Sequence, residues 1–328
     1  MLEAILLTVA TAATPLLLAA IGELVTERSG VLNLGVEGMM IMGAVAGFGA
    51  GIMTGSPWIG ALAGILAGVL MSLLFAFLTL TLVTNQVATG LALTLLGLGL
   101  SGMIGTTFVG QPGVKMGRIE IPGLSELPYV GKLLFSQDPL FYVSILLVIG
   151  VAWFLFRTRA GLTLRSVGDN HGSAHALGIN VIGIRYLAVM FGGACAGLAG
   201  AHLTLVYTTQ WLENMTAGRG WIALALVVFA SWRPFRILAG AYLFGAISIA
   251  QLHIQAFNLA DAQGLNDIPI VGGILFWLVE AIKSIPAQFL SSLPYLATIV
   301  VLVLISRNRR LTMVNTPASL GRPFVPDR

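Results

Sequence analysis

Two of the four histidines in the 328-residue chain stand four apart, in the stretch RSVGDNHGSAHALGIN at residues 165–180. On a helix, His171 and His175 share one face. Imidazoles at that spacing can ligate a metal, but a metal site needs further ligands, and no third one stands nearby. His202 and His253 fall in other, apolar segments. The stretch also carries Arg165, Asp169 and Asn170, in a chain otherwise built of Leu, Ala, Val, Ile and Gly. Asp169 or Asn170 can cap a helix start by accepting an orphan backbone N–H. Gly178 suits the left-handed position that closes a helix. These signals predict about two turns of helix over 171–177. They fit an ordinary polar loop or a helix presented to a partner.

Other chemistry is missing from the sequence. There is no G-x-x-x-x-G-K-[ST], and none of the three lysines, Lys115, Lys132 and Lys283, follows a phosphate loop, so the chain should not hydrolyse ATP by itself. There is no G-x-S-x-G elbow and no H-E-x-x-H. Polar residues inside apolar surroundings remain. Asn33 and Glu37 are four apart and share a face if helical; Glu37 either faces a solute pathway or pairs with Arg28 at the surface. Asn214, Thr216, Arg219 and Trp221 form a second cluster. Trp211 and Trp221 can stack on a base or mark the membrane interface. Gln251 and Glu280 are weaker candidates.

The elements that position these residues are membrane spans. The chain is 57% hydrophobic and 9% charged, against ~25% charged in soluble domains. A span needs about 20 apolar residues. Such runs lie near 4–21, 38–53, 57–83, 87–109, 139–156, 184–208, 237–257 and 286–306. Residues 221–232 and 270–283 are shorter and either cross or re-enter. The fold class is therefore an all-α polytopic membrane bundle of about 8–10 helices, some short or broken. It forms one transmembrane domain over 1–306, with a polar loop at 157–183 and a cytoplasmic tail at 307–328. The N-terminus has Glu3 and no basic region, so it reads as a retained first span. The net charge of +4 is not a nucleic-acid patch, because the basic residues are spread over short segments between spans. Placing Arg157, Arg159, Arg165, Arg185 and the arginines after the last span in the cytoplasm puts 12 of the 17 basic residues inside. Residues 112–136 and the N-terminus then lie outside. Cys195 is alone, which excludes an internal disulfide.

Three stretches carry a resemblance. Residues 165–179 resemble the cytoplasmic coupling loop of permease subunits of bacterial ABC importers, in the branched-chain amino acid, simple sugar and nucleoside superfamily. The matching residues are Arg165, Gly168, Asn170, Ala174, Gly178 and Ile179; Ser166 and His175 depart from the family pattern. Residues 22–44, with Glu27, Gly30, Asn33, Gly35, Glu37 and Gly38, resemble the nucleoside-type branch, as do residues 213–229. The resemblance covers roughly residues 3–306. It implies a subunit of the cell (inner) membrane that moves a small polar solute, nucleosides first, with simple sugars or branched-chain amino acids as alternatives. It also implies an ATPase subunit holding ATP and Mg, a second permease chain forming a heterodimer, and an external substrate-binding protein. This chain would bind no cofactor or metal, and only lipid besides its partners. Arg165, Gly168, Asp169, Asn170, Ala174 and Gly178 would serve ATPase coupling. A stand-alone secondary carrier has no use for such a loop, and a membrane enzyme would need converging acid, base or metal residues.

Overall fold

A computed structural model describes residues 2–120, 135–256 and 315–326, with scattered positions between 289 and 303. The helices are α1 (Leu2–Arg28), α2 (Val36–Thr54), α3 (Pro57–Ala76), α4 (Gln86–Gly105), α5 (Pro139–Arg157), α6 (Arg159–Asp169), α7 (His171–Ala176), α8 (Val181–His202), α9 (Arg219–Phe229) and α10 (Pro234–Ala256). Short π turns extend α3 over Phe77–Thr81 and α8 over Leu203–Tyr207. A two-residue antiparallel pair joins Ile119 to Gln137 and Glu120 to Ser136.

Among the described residues, six helices are long and apolar enough to cross a membrane. They correspond to the first six predicted spans, and apart from the end of the first the limits shift by no more than about three residues. The first runs to Arg28 because Glu23, Thr26 and Glu27 are buried by neighbouring segments and not exposed to lipid. The short segment at 270–283 and the predicted span at 286–306 lie wholly or largely outside the described residues.

The centre of the bundle is α8, with α1, α2 and α3 packed against it and α2 also packed on α3. Glycine permits this closeness. A Cβ on Gly197 would meet the Gly64 carbonyl, and one on Gly43 would meet Gly197 itself. Backbones touch there because small residues line the crossings. Lipid is as apolar as Leu, so van der Waals contact and not water exclusion holds these helices together.

Contacts between distant segments fix the two ends of the bundle. One end gathers Arg28, Thr81, Gly168, Arg185 and Trp232; the Thr81 hydroxyl, for example, meets that of Tyr186 at 2.6 Å. The other end gathers Phe48 with Phe108, Gly113 with Thr209, and buried His202 with Asp138 at 3.6 Å. The arginine-rich loops therefore share one end, as the charge pattern requires.

Candidate functional site

α9 is a broken span. The chain leaves α8 at the far end and turns through residues 208–218 in irregular backbone, where Thr209, Asn214 and Ala217 have positive φ. It then enters an 11-residue helix that ends at the arginine-rich end. The orphan N–H groups of a buried helix start need partners. Glu37 supplies them: its carboxylate accepts the Gly218 N–H at 2.8 Å and the Gly220 N–H at 2.6 Å. Gly220 has no room for a side chain, because a Cβ would meet the Glu37 backbone at 2.6 Å. Glu37 neither pairs with Arg28 nor faces open space, and the reason is that the helix start binds it first.

Asn33 is also used internally. It lies in the turn before α2, so it shares no helix face with Glu37. Its Oδ1 accepts the Gly35 N–H at 3.0 Å, and its own N–H donates to Glu23 at 3.2 Å. Thr216 is fully buried. Asn214 is exposed, at φ 54°. Arg219 donates to the Met215 carbonyl at 2.7 Å and lies 5.4 Å over the Tyr207 ring. Trp211 is a core residue, packed where Gly105 leaves space for its indole. The two predicted clusters are thus brought together, but through Glu37 and the backbone of α9, and not as converging side chains.

Trp221 differs from all of these. It is 47% exposed and faces a cavity of about 490 Å³. Glu27, Leu32, Leu34, Leu91, Leu224 and Val228 share the lining. This is within the volume range of small-molecule sites, which are mostly apolar with a few polar groups. Glu27 was not singled out as a site residue from the sequence. Its Oε2 accepts the Trp232 indole N–H at 2.6 Å, which ties α1 to the turn after α9.

The polar loop holds a rigid helix. Asn170 caps α7 by accepting the Ser173 N–H at 2.9 Å. The other end closes with Gly178 N–H to His175 carbonyl at 2.8 Å and Ile179 N–H to Ala174 carbonyl at 3.1 Å, with Gly178 at φ 79°. That pair of bonds is the Schellman arrangement, which needs a left-handed residue. Leu177, at the tip, is 81% exposed. It is the surface residue that composition alone did not single out.

The loop residues divide by place. Asp169, Asn170 and Gly178 are exposed. Ala174 is buried against Val167 and Val181. Gly168 is buried at the end of α6, where a Cβ would run into the Arg28 carbonyl. Arg165 is half-buried, 5.3 Å from the Phe156 ring centroid. His171 and His175 both pack on Phe324, with ring centroids 5.2 and 5.4 Å away. Arg185 donates to His171 Nδ1 at 3.2 Å. Arginine has no acceptor, so Nδ1 must carry the lone pair and Nε2 the proton.

α7 is thus a short helix capped at both ends, buried on one side by α6 and α8 and bearing an exposed leucine at its tip. Residues 5–306 match the model of the branched-chain amino acid transport system / permease component family. The chain belongs to this family. It is a multi-pass protein of the cell membrane, a transport component and not an enzyme.

Three relatives align over most of their length. The chain is 44% identical to the "Putative glucose ABC transporter permease protein TsgC13" of Haloferax volcanii, covering 89% of this chain and 88% of that one. It is 33% identical to the guanosine ABC transporter permease protein NupQ of Bacillus subtilis, over 95% and 93% of the two chains. It is 32% identical to the nucleoside ABC transporter permease protein NupC of Lactococcus lactis, over 89% and 88%. No solved structure matches.

Proposed function

We propose that this permease moves nucleosides, and that its solute passes beside α9 against Trp221. The observation that carries the reading is the Trp221-lined cavity beside a broken helix. Transporters place solute sites where helices are interrupted near the midplane. An indole face offers a base a stacking platform. The two nucleoside relatives support the base. A second reading, a hexose such as glucose, is favoured by the identity of 44% to TsgC13; sugars also lie flat on indole faces.

On this reading α7 docks into a cytoplasmic ATPase subunit, which binds ATP and Mg, while this chain binds neither. Leu177 supplies an apolar knob and Asn170 and Gly178 hold it rigid. The exposed apolar face of α4, including Leu91 and Leu95, closes the cavity against a second permease, a paralogue. A binding protein outside delivers the solute. Uptake of labelled guanosine and uridine into vesicles carrying the complex, competed with glucose, ribose and leucine, tests the assignment. Competition by nucleosides alone supports the first reading; competition by glucose alone supports the second and overturns the first.

A further inference from the structure

The C-terminal segment returns to the arginine-rich end and lies across two loops that are distant in sequence. The Ser319 N–H donates to the Gly168 carbonyl at 2.9 Å, and the Gly321 N–H donates to the Gly30 carbonyl at 3.1 Å. The Ser319 hydroxyl reaches the Asp169 carbonyl at 3.3 Å. Phe324 packs on both histidines of α7. Gly30, at φ 90°, has no room for a Cβ, which would meet the Arg185 guanidinium at 2.8 Å, Gly168 at 3.3 Å and the Ser319 carbonyl at 3.4 Å.

Arg185 sits at the centre of this junction and is only 1% exposed. Its Nε donates to the Ser29 carbonyl at 3.2 Å, one terminal nitrogen to the Arg322 carbonyl at 3.3 Å, and the other to His171 at 3.2 Å. One guanidinium thereby holds the turn after α1, the tail and α7. Its planar fork fixes several acceptors at once, which an ammonium on a flexible stem does not do. Beyond Ser29 the path continues: Arg28 donates to the Trp232 carbonyl at 2.9 Å, and Trp232 donates to Glu27. Trp232 follows α9, whose other end carries Trp221.

We propose that residues 317–326 and Arg185 form a clasp that makes α7 and the α1–α2 turn one rigid body, so that motion of α7 reaches the foot of α9. Arg185 is a positioning residue in this device. The inference rests on the reading of α7 as the ATPase-docking helix. Physical contiguity shows where a displacement would travel; coupling has to be measured.

The test uses the full permease–ATPase complex in proteoliposomes with loaded binding protein, and reads three quantities: ATPase subunit retained, ATP hydrolysed, and solute taken up per ATP. Truncation after Asn315 and Arg185→Gln should each keep the ATPase subunit while uptake per ATP falls by about tenfold or more, a coupling loss of ordinary size. Arg185→Lys, which keeps the charge and some donors, should recover part of the loss. Uptake per ATP within about twofold of wild type after truncation overturns the clasp, since coupling effects run larger than that. Loss of the ATPase subunit on truncation also overturns it, in favour of a plain anchoring role.

A second measurement decides the matter if the truncated chain fails to fold. In a Cys195→Ala background, His175→Cys and Phe324→Cys are joined by a short thiol-reactive cross-linker such as a bis-maleimide. A clasp that stays closed through the cycle leaves uptake unchanged; abolished uptake overturns the proposal. The docking reading fails separately. If Leu177→Glu and Asn170→Arg on the outer surface of α7 leave the complex bound and coupled, α7 is not the docking helix, whatever the tail does.

Discussion

The Glu37 carboxylate accepts the Gly220 backbone N–H at 2.6 Å, across 183 positions of sequence. Together with the bond from Gly218 it places a negative charge at the start of α9, where the helix dipole favours one. Glu37→Ala would leave two buried N–H groups unpaired, and a charged hydrogen bond in such a site is worth about 1.5–3 kcal/mol. Glu37→Gln keeps one oxygen for two donors and loses the charge, so it should cost less. Thermal unfolding in detergent should rank wild type above Gln above Ala. If Glu37→Gln unfolds like wild type and yet transports nothing, the carboxylate acts on the solute and the capping account is wrong.

Gly197 and Gly99 make opposite predictions from the same residue type. A Cβ at Gly197 would collide with the Gly64 backbone, whereas nothing lies within 4 Å of one at Gly99. Gly197→Ala should force α3 and α8 apart and cost about 1–3 kcal/mol, as overpacking does. Gly99→Ala should be neutral or stabilise by about 0.5–1 kcal/mol, because Ala is the better helix former. Expression and melting temperature of the two variants, side by side, check the account. Equal behaviour would mean that close helix approach does not hold the bundle.

How far the sequence revealed this follows from which signals are local. Asn170 and Gly178 mark the ends of α7 by cap chemistry that needs no tertiary contact, and the helix lies between them. Hydropathy located the six described spans for the same reason. The partner of Glu37 was not legible because it is a backbone N–H at the start of α9, and no side-chain pattern records a backbone donor. Asn33 looked like half of an i,i+4 pair, but Gly35 starts α2 after it. α6 was not anticipated, although Gly161, Leu164 and Gly168 repeat at helical spacing and are its buried face. The tail was assigned only to the cytoplasmic side; its bonds to Gly30 and Gly168 run main chain to main chain and leave no trace in residue type.

The ends of α7 give a third prediction. Asn170→Ala removes the cap at a cost of about 1 kcal/mol, and Gly178→Leu puts a branched side chain where φ is positive. Both should lower substrate-stimulated ATPase activity without disturbing the spans, whose helical circular dichroism should be unchanged. Wild-type stimulation in both variants would remove α7 from the coupling path. Gly168→Arg reads something else, because Gly168 is buried against Arg28: it should destabilise the whole arginine-rich end and appear as lost expression.

His171 makes the junction sensitive to acid. Its ring is held below the ordinary value of 6.5 by partial burial first, then by the Arg185 and Arg322 charges. Asp169 and His175 are the nearest titratable groups in the chain. A value depressed by folding means that the folded protein favours the neutral ring. The stability it adds is complete above the ordinary value and is lost as pH falls below it. Protonation also turns the Nδ1 acceptor into a donor facing Arg185. Spin labels on Gly172→Cys and Val325→Cys should report one narrow distance at neutral pH and a broader one once the pH falls well below the ordinary histidine value of 6.5 and the ring charges. His171→Gln, which keeps a neutral acceptor, should stay narrow throughout. Broadening that persists in His171→Gln would assign the effect to another group.

Trp221 provides the sharpest test of the pathway, because its half-exposed indole lines an open cavity. Stacking of a base on an aromatic ring is worth about 1–3 kcal/mol. Trp221→Ala should therefore raise the KM for nucleoside uptake between about fivefold and a hundredfold. Trp221→Phe should lose less, since it keeps a face for the base. The side chain is nearly half exposed, so its removal leaves no large core void, and assembly with the ATPase subunit should persist. Asn33→Leu is the matching control. It leaves the Gly35 N–H without its acceptor while the backbone bond to Glu23 remains, so it should lower melting temperature and not KM alone. Should Trp221→Ala transport with wild-type KM while Asn33→Leu folds normally and loses uptake, the solute runs on the α2 side of α9, and the cavity beside Trp221 is not its path.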